Sequence, residues 1–319
     1  MDLKDWLKRQ DISRTPGEWP LSVDGIRYTA ETIWRVPLLR YYTDHSVAHS
    51  DRIIENLSLL TEGLINNSQI TPTEVFILLA SAYLHDIGML DERFNACDLE
   101  QIRIHHHELT RKLVMDGTVK LGLELVPNEI IYLIALVSEA HRETNLGENE
   151  YDEFEYGGTT IRPRLLAALL RLADELDIDH RRVDLQKIKI MNIPVESVFH
   201  WYLCYYVAGV SIKNGSIKIS YQFPEDCKNY KEIVEPLIRG KIQEEYTLLE
   251  TILWDYKCMV RMDNNYDMRL IPGLYRMSTE VIDVAREKNK KKHTEKILQH
   301  KKKIKYFDTI TVGALESTE

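Results

Sequence analysis

The stretch TPTEVFILLASAYLHD, residues 71–86, constrains the fold more than any other. Thr71, with Glu74 three residues later, fits a capping box, and Pro72 suits the first helical turn. The helix that follows is apolar on nearly every face, which places it inside a core. It ends in His85-Asp86, so a polar pair is carried into apolar surroundings. Burying such a pair is costly unless both groups are satisfied. A metal ion would satisfy both, through imidazole nitrogen and carboxylate oxygen. A hydrogen-bonded core histidine is the plainer solution, and one His-Asp dipeptide does not decide between them.

Two more helices of the same kind have legible starts. Pro127 precedes NEIIYLIALVSEAHR, and Pro163 precedes RLLAALLRLADELDI. After about residue 185 the character changes. LQKIKIMN, HWYLCYYVAGVSI and SIKISYQF are rich in β-branched and aromatic residues, and Asn214-Gly215 between the last two is a hairpin-turn signal. Residues 229–260 return to helical spacing, with Ile233, Leu237, Ile242, Tyr246, Leu249 and Ile252 in rough register. The pattern predicts a mainly α chain, α+β overall. A helical domain over 1–184 precedes an extension over 185–319. The extension holds a β-hairpin at about 200–222, a long helix at about 229–260 and a basic C-terminal helix at about 278–305.

Charge is unevenly spread. The net charge is −9, and residues 286–305 hold ten Lys/Arg against two Glu, or +8, leaving −17 for the rest. An acidic body argues against broad nucleic-acid binding. The basic tail could contact nucleic acid or an acidic partner, or be a solvated helix. The N-terminus has no apolar signal-peptide core, and no uninterrupted apolar run is long enough to predict a bilayer span. Cys97, Cys204, Cys227 and Cys258 lack paired or metal-ligand spacing. A cytoplasmic protein with reduced thiols and no membrane contact is expected. A homo-oligomer is compatible with the sequence.

Other metal-type side chains emerge from apolar helical stripes. Asp174 lies four residues after Leu170, and His141 four after Val137. His49 lies about one helix upstream of His85, with His45 one turn before it. RIHHHELT, residues 103–110, adds three consecutive histidines. With Ile102 at 0°, His106 falls near 40°, beside the buried stripe of Leu109 and Leu113, His105 falls near 300° and His107 near 140° (about 100° per residue). His106 therefore faces inward, His105 is the fallback and His107 points to solvent.

The ordered set His49 … His85-Asp86 … Asp174 resembles the H…HD…D signature of the HD superfamily of metal-dependent phosphohydrolases. HSDRIIENL, LHDIGM, AHRE, LLRLADELD and the RxxHxxxT spacing strengthen the resemblance, which spans roughly residues 40–185. The chain is most similar to stand-alone bacterial proteins of the HD-CE type, whose hairpin extension HWYLCYYVAGVSIKNGSIKISY also resembles. The resemblance implies an all-helical HD domain and a metal held by His49, His85, Asp86 and Asp174. It implies a second metal at His106 and His141, with Asp86 bridging. The chain has Arg142 after His141 and Met89 in HDIGM, and lacks a GYP motif, which disfavours cyclic di-GMP hydrolysis. A role in antiviral defence is a further implication.

The expected cofactor is one or two divalent ions: Mn, Fe, Co, Ni or Zn, with Mg favoured if one sparse site forms. Such ions activate water and neutralise charge developing on phosphorus. Asp86, His106 and Arg103 are the catalytic candidates. Arg52, His105, Arg142 and Arg171 are candidates to bind substrate, since a guanidinium fork matches phosphate. Asp177, Arg181 and Arg182 read as structural, and Trp201 reads as a core residue. The expected substrate is a phosphorylated small molecule: a nucleotide, cyclic nucleotide or short oligonucleotide. Two alternatives stand beside it, a dNTP triphosphohydrolase and a non-catalytic module that senses a nucleotide or binds a partner.

Overall fold

A computed structural model of the chain describes residues 2–10, 19–35, 43–90, 99–117, 120–142, 144–191 and 193–291. At its centre lies α5, Pro72–Leu84. The Thr71 hydroxyl accepts from the Glu74 N–H, and the Glu74 carboxylate accepts from the Thr71 N–H at 2.9 Å, closing the capping box. Every residue from Thr73 to Leu84 is buried. Packed around α5 are α1 (Leu3–Lys8), α2 (Trp19–Ile33), α3 (Val47–Leu60), α7 (Asn128–Glu139) and α8 (Pro163–Glu175). The short α4, Glu62–Asn66, follows α3, and α6, Leu99–Asp116, lies against α7 and against the 3-10 turn Ile87–Leu90.

Pro72–Leu90 has the length and composition of a membrane span, although Glu74, His85 and Asp86 interrupt its apolar run. Yet 94% of that window is buried inside the fold, so it serves as a core helix.

A small hairpin interrupts the helical region. β1, Phe154–Tyr156, pairs antiparallel with β2, Thr159–Ile161, through Gly157-Gly158 with φ of 59° and 76°. Both glycines adopt the left-handed backbone that tight hairpin turns require.

The extension contains α9 (Gln186–Ile190), α10 (Val195–Tyr205), β3 (Val207–Lys213), β4 (Ser216–Pro224), α11 (Tyr230–Asp255), β5 (Arg261–Met262), β6 (Asp267–Ile271) and a last helix, α12, over 279–291. Two expectations are corrected here. Within LQKIKIMN, Gln186–Ile190 form α9 rather than a strand, and HWYLCY closes α10, so the hairpin begins at Val207 and not near residue 200. The hairpin itself turns at Asn214 and Gly215, with φ of 50° and 73°. A Cβ at Gly215 would stand 2.2 Å from the Met259 carbonyl oxygen, so only glycine fits. β3 and β4 are antiparallel, and β5 and β6 add to β4 in parallel.

α11 packs directly on α8, and one hydrophobic cluster runs from Leu3 to Ala285. The basic run beyond residue 291 lies outside the described residues. Cys204, Cys227 and Cys258 are free and buried, and Cys97 lies outside the described residues.

Candidate metal centre

Five helices deliver six metal-type side chains to one buried point. Ser46 caps α3, accepting from the Ala48 N–H, and His49 follows in the first turn. His85 is the C-terminal cap of α5, its N–H bonded to the Ser81 carbonyl, and Asp86 comes next. His106 comes from α6, His141 follows the end of α7, and Asp174 sits in the last turn of α8.

The six fall into two groups, His49–His85–Asp174 and Asp86–His106–His141, with the ligand atoms of each group within 4.8 Å of one another. Asp86 faces both. Its Oδ2 lies 3.1 Å from His85 Nε2 and 3.7 Å from His49 Nε2, while its Oδ1 lies 3.3 Å from His106 Nε2 and 3.4 Å from His141 Nε2. Asp174 Oδ1 lies 3.3 Å from His49 Nε2 and 4.0 Å from His85 Nε2. His106 Nε2 and His141 Nε2 are 2.8 Å apart.

The second nitrogen of three of these imidazoles is spoken for. Nδ1 of His49 donates to Asp177 Oδ2 at 2.6 Å, Nδ1 of His85 to the Ala82 carbonyl at 3.0 Å, and Nδ1 of His141 to the Ser138 carbonyl at 2.6 Å. A proton on Nδ1 leaves a neutral ring with its Nε2 lone pair turned inward, the tautomer a metal needs. Nε2 of His49 and of His85 are buried without a hydrogen bond of good geometry. Buried lone pairs are rarely left that way. Orphaned imidazole nitrogens beside two carboxylates form a donor set that fits a divalent cation.

Electrostatics point the same way. Burial disfavours charge on His85, but Asp86 and Asp174 outweigh it and lift its pKa to about 9. Burial pushes His141 down to about 4. Burial would raise the carboxyls of Asp86 and Asp174, yet the surrounding imidazoles hold both below the ordinary range. The point is built to stabilise positive charge among carboxylates that stay ionised.

The HD turn is held against α6 by a close fit. A Cβ on Gly88 would lie 2.0 Å from the His106 carbonyl oxygen and 2.7 Å from the Thr110 nitrogen. The Thr110 hydroxyl donates to the His85 carbonyl at 2.8 Å and accepts from the Gly88 N–H at 3.0 Å. Gly88 and Thr110 therefore dock the helix carrying His106 onto the turn carrying Asp86.

The family model HD-CE matches residues 39–251. The chain belongs to the HD-CE family. An HD-superfamily domain with these His/Asp groups is compatible with metal-dependent phosphohydrolase chemistry. No curated protein matches the chain. The HD-CE match crosses residue 185 and takes in α10 and most of α11.

That span matters because the metal-type groups open into a cavity of about 400 Å³ whose far wall is the extension. His45, Asp86, His106, His141, Arg142 and Asp174 line one side. Phe199, His200, Trp201 and Leu203 of α10 and Leu237, Ile238, Lys241 and Ile242 of α11 line the other. Trp201 is buried, as a core tryptophan should be, yet it also lines the cavity.

Several candidate residues are placed elsewhere. Arg52 donates to Asp177 at 2.9 Å and to Asp44 at 3.1 Å, so it braces the residue that orients His49 instead of reaching the cavity. Arg171 is buried in an ion pair with Glu245 and donates to the Thr144 carbonyl at 3.2 Å. Its partner comes from α11, 74 residues away. His105 is largely exposed and pairs with Glu108 at 3.5 Å. His107 is half-buried, with Nδ1 enclosed and its ring 6.0 Å from that of His106, not turned to bulk solvent as expected. His45 bonds to the Thr43 carbonyl at 2.6 Å through Nδ1, and burial pushes its pKa to about 3. The Arg103 side chain lies outside the described residues. Arg182, read from sequence as structural, lines the cavity while its guanidinium donates to the Asp177 carbonyl at 2.7 Å and the Asp44 carbonyl at 3.1 Å.

Proposed function

We propose that this HD-CE protein is a metal-dependent phosphohydrolase acting on a nucleotide, cyclic nucleotide or short oligonucleotide. The observation that carries the reading is Asp86, whose two carboxylate oxygens face two separate imidazole pairs at 3.1–3.7 Å beside a cavity large enough for an organic ligand. His49, His85 and Asp174 would hold one divalent ion, His106 and His141 a second, and Asp86 both. Mn, Fe, Co, Ni and Zn suit this nitrogen-rich set better than Mg.

Ions held there supply charge neutralisation and acidify water near neutral pH. The chain's own groups do the rest. Asp177 and the carbonyls of Ala82 and Ser138 keep the three rings in one tautomer. Arg142 lines the cavity, where its guanidinium can bind non-bridging phosphate oxygens, while Arg182, also on the wall, braces Asp177. Ile178, Leu203, Leu237, Ile238 and Ile242 exclude water and accept an organic moiety.

The test combines metal analysis of the purified protein with Mn-supplemented assays on NTPs, dNTPs, cyclic nucleotides and short oligonucleotides. Wild type is compared with His85→Ala/Asp86→Ala. Bound metal and turnover in wild type, with both lost in the variant, supports the reading. Bound metal without turnover on any substrate would favour a sensor, and turnover of dNTPs alone would favour the triphosphohydrolase.

A further inference from the structure

The cavity, about 400 Å³, is larger than one phosphate needs, and its α10–α11 wall is not only apolar. Lys288, on α12, lines it together with His200 of α10 and Lys241 of α11. Lys288 is half-buried, its ammonium 3.4 Å from His200 Nε2 and 5.2 Å from the Phe199 ring centroid. Lys241, on the same wall, pairs with Glu175 at 2.6 Å. The Lys288–His200–Phe199 arrangement places a cation beside an aromatic ring in the same cavity as the Asp86 and Asp174 carboxylates.

This placement is built rather than incidental. The Tyr202 hydroxyl donates to the Arg276 carbonyl at 2.7 Å, and the Tyr206 hydroxyl to the Tyr275 carbonyl at 2.8 Å. The Asn289 amide, next to Lys288, donates to the Ile233 carbonyl of α11 at 2.9 Å. Val281 and Ala285 bury the inner face of α12. A long, flexible lysine stem is thereby presented from a fixed platform, which reduces the ordering cost of binding an anion. Lys288 lies beyond residues 39–251, so it is an addition to a wall whose α10 and α11 residues fall within the family match.

We infer that Lys288 and His200 form a subsite for a second phosphate of the substrate, apart from the phosphate addressed by the His/Asp groups. The inference rests on the phosphohydrolase reading and narrows it: the preferred ligand is an organic molecule phosphorylated at two separate positions, its organic part against the apolar wall. A single charge-assisted contact of this kind is worth about tenfold or more in affinity. Lys288 is a specificity-determining residue, and His200 positions its ammonium.

The experiment is calorimetric titration of the full, Mn-loaded chain with adenosine 5′-monophosphate and adenosine 3′,5′-bisphosphate, which differ by one phosphate. Wild type, Lys288→Ala and Lys288→Arg are compared, with metal content measured in each. Wild type should prefer the bisphosphate by about tenfold or more. Lys288→Ala should bring that ratio close to one while keeping its metal and its affinity for the monophosphate, and Lys288→Arg should restore the preference. Equal binding of both probes by wild type, or an unchanged ratio in Lys288→Ala, overturns the inference alone. Failure of Mn-loaded wild type to bind either probe overturns it together with the phosphohydrolase reading.

Discussion

Asp177 Oδ2 accepts a hydrogen bond from His49 Nδ1 at 2.6 Å, and Arg52 and Arg182 brace that same aspartate. Burial works against ionising Asp177, but His49, Arg182 and Arg52 outweigh it and hold its pKa at about 2. A carboxylate in this position fixes the ring and makes it a better donor.

Asp177→Asn should therefore weaken metal binding about 10–100-fold, the usual effect of removing such a partner. The fold should survive, because the amide keeps the shape and one acceptor oxygen. Metal titration alongside a thermal melt separates the two effects; unchanged affinity would deny Asp177 this role.

The three adjacent histidines should behave differently. His106 Nε2 lies 3.3 Å from Asp86 Oδ1, whereas His105 is on the surface and the ring of His107 sits 6.5 Å from that of His141. His106→Ala should lower metal content far more than His105→Ala or His107→Ala. Equal losses measured by elemental analysis would refute the assignment of the inward face.

The docking of α6 on the HD turn is open to a steric test. Gly88→Ala adds a methyl group 2.0 Å from a backbone oxygen, so α6 or the turn must shift. The expected cost is on the order of 1–3 kcal/mol, as for other overpacked cores, together with loss of bound metal. Thr110→Val removes two hydrogen bonds at the same junction and should cost about 1–3 kcal/mol. Chemical denaturation reads both.

Arg171 should affect stability and not substrate affinity. Its guanidinium is buried against Glu245, and breaking a buried pair by removing one partner costs about 3–5 kcal/mol. Arg171→Met should lower the unfolding midpoint while the folded fraction keeps its KM. A KM increase without destabilisation would return Arg171 to the substrate.

One acid-sensitive contribution lies away from the centre. Burial alone would raise the Asp51 carboxyl, but hydrogen bonds from Arg27, Tyr83 and Lys4 hold it below the ordinary range. A lowered native pKa stabilises the fold above the unfolded-state value of about 3.9, and that contribution is lost as pH falls through the native value. Asp51→Asn should cost about 1–3 kcal/mol at pH 7, and the gap from wild type should close in acid. A gap independent of pH would rule out the charge as its source.

The helical core was legible because its signals are local. The Thr71–Glu74 box, Pro127 and Pro163 each mark a helix start within a few residues. Convergence of the six His/Asp residues could be anticipated from their order only through the family resemblance, since their contacts span up to 125 residues of sequence. HWYLCY misled because its aromatic residues suit a strand, yet it closes a helix that buries Val198, Phe199 and Trp201. IKI in α9 alternates like a strand, but Ile190 is exposed and the segment spans barely more than one turn. The β1–β2 hairpin at Gly157-Gly158 went unread, because the runs flanking the glycines are too short to stand out. Arg171 shares a helix face with Asp174, which says nothing of Glu245. Lys288 and Arg182 reach the cavity through tertiary packing that no local pattern encodes.

Asp86 has a consequence for how the centre would fill. One rigid carboxylate presents a different oxygen to each imidazole pair. An ion settling between His49, His85 and Asp174 would lock that carboxylate in place for its neighbour, while also drawing electron density from the shared group. Were both positions to fill, they would be thermodynamically linked, and by reciprocity whatever one occupant does to the other's affinity would be returned in equal measure. Metal uptake by this protein should follow a coupled isotherm, and Asp86→Asn should change its shape as well as its midpoint.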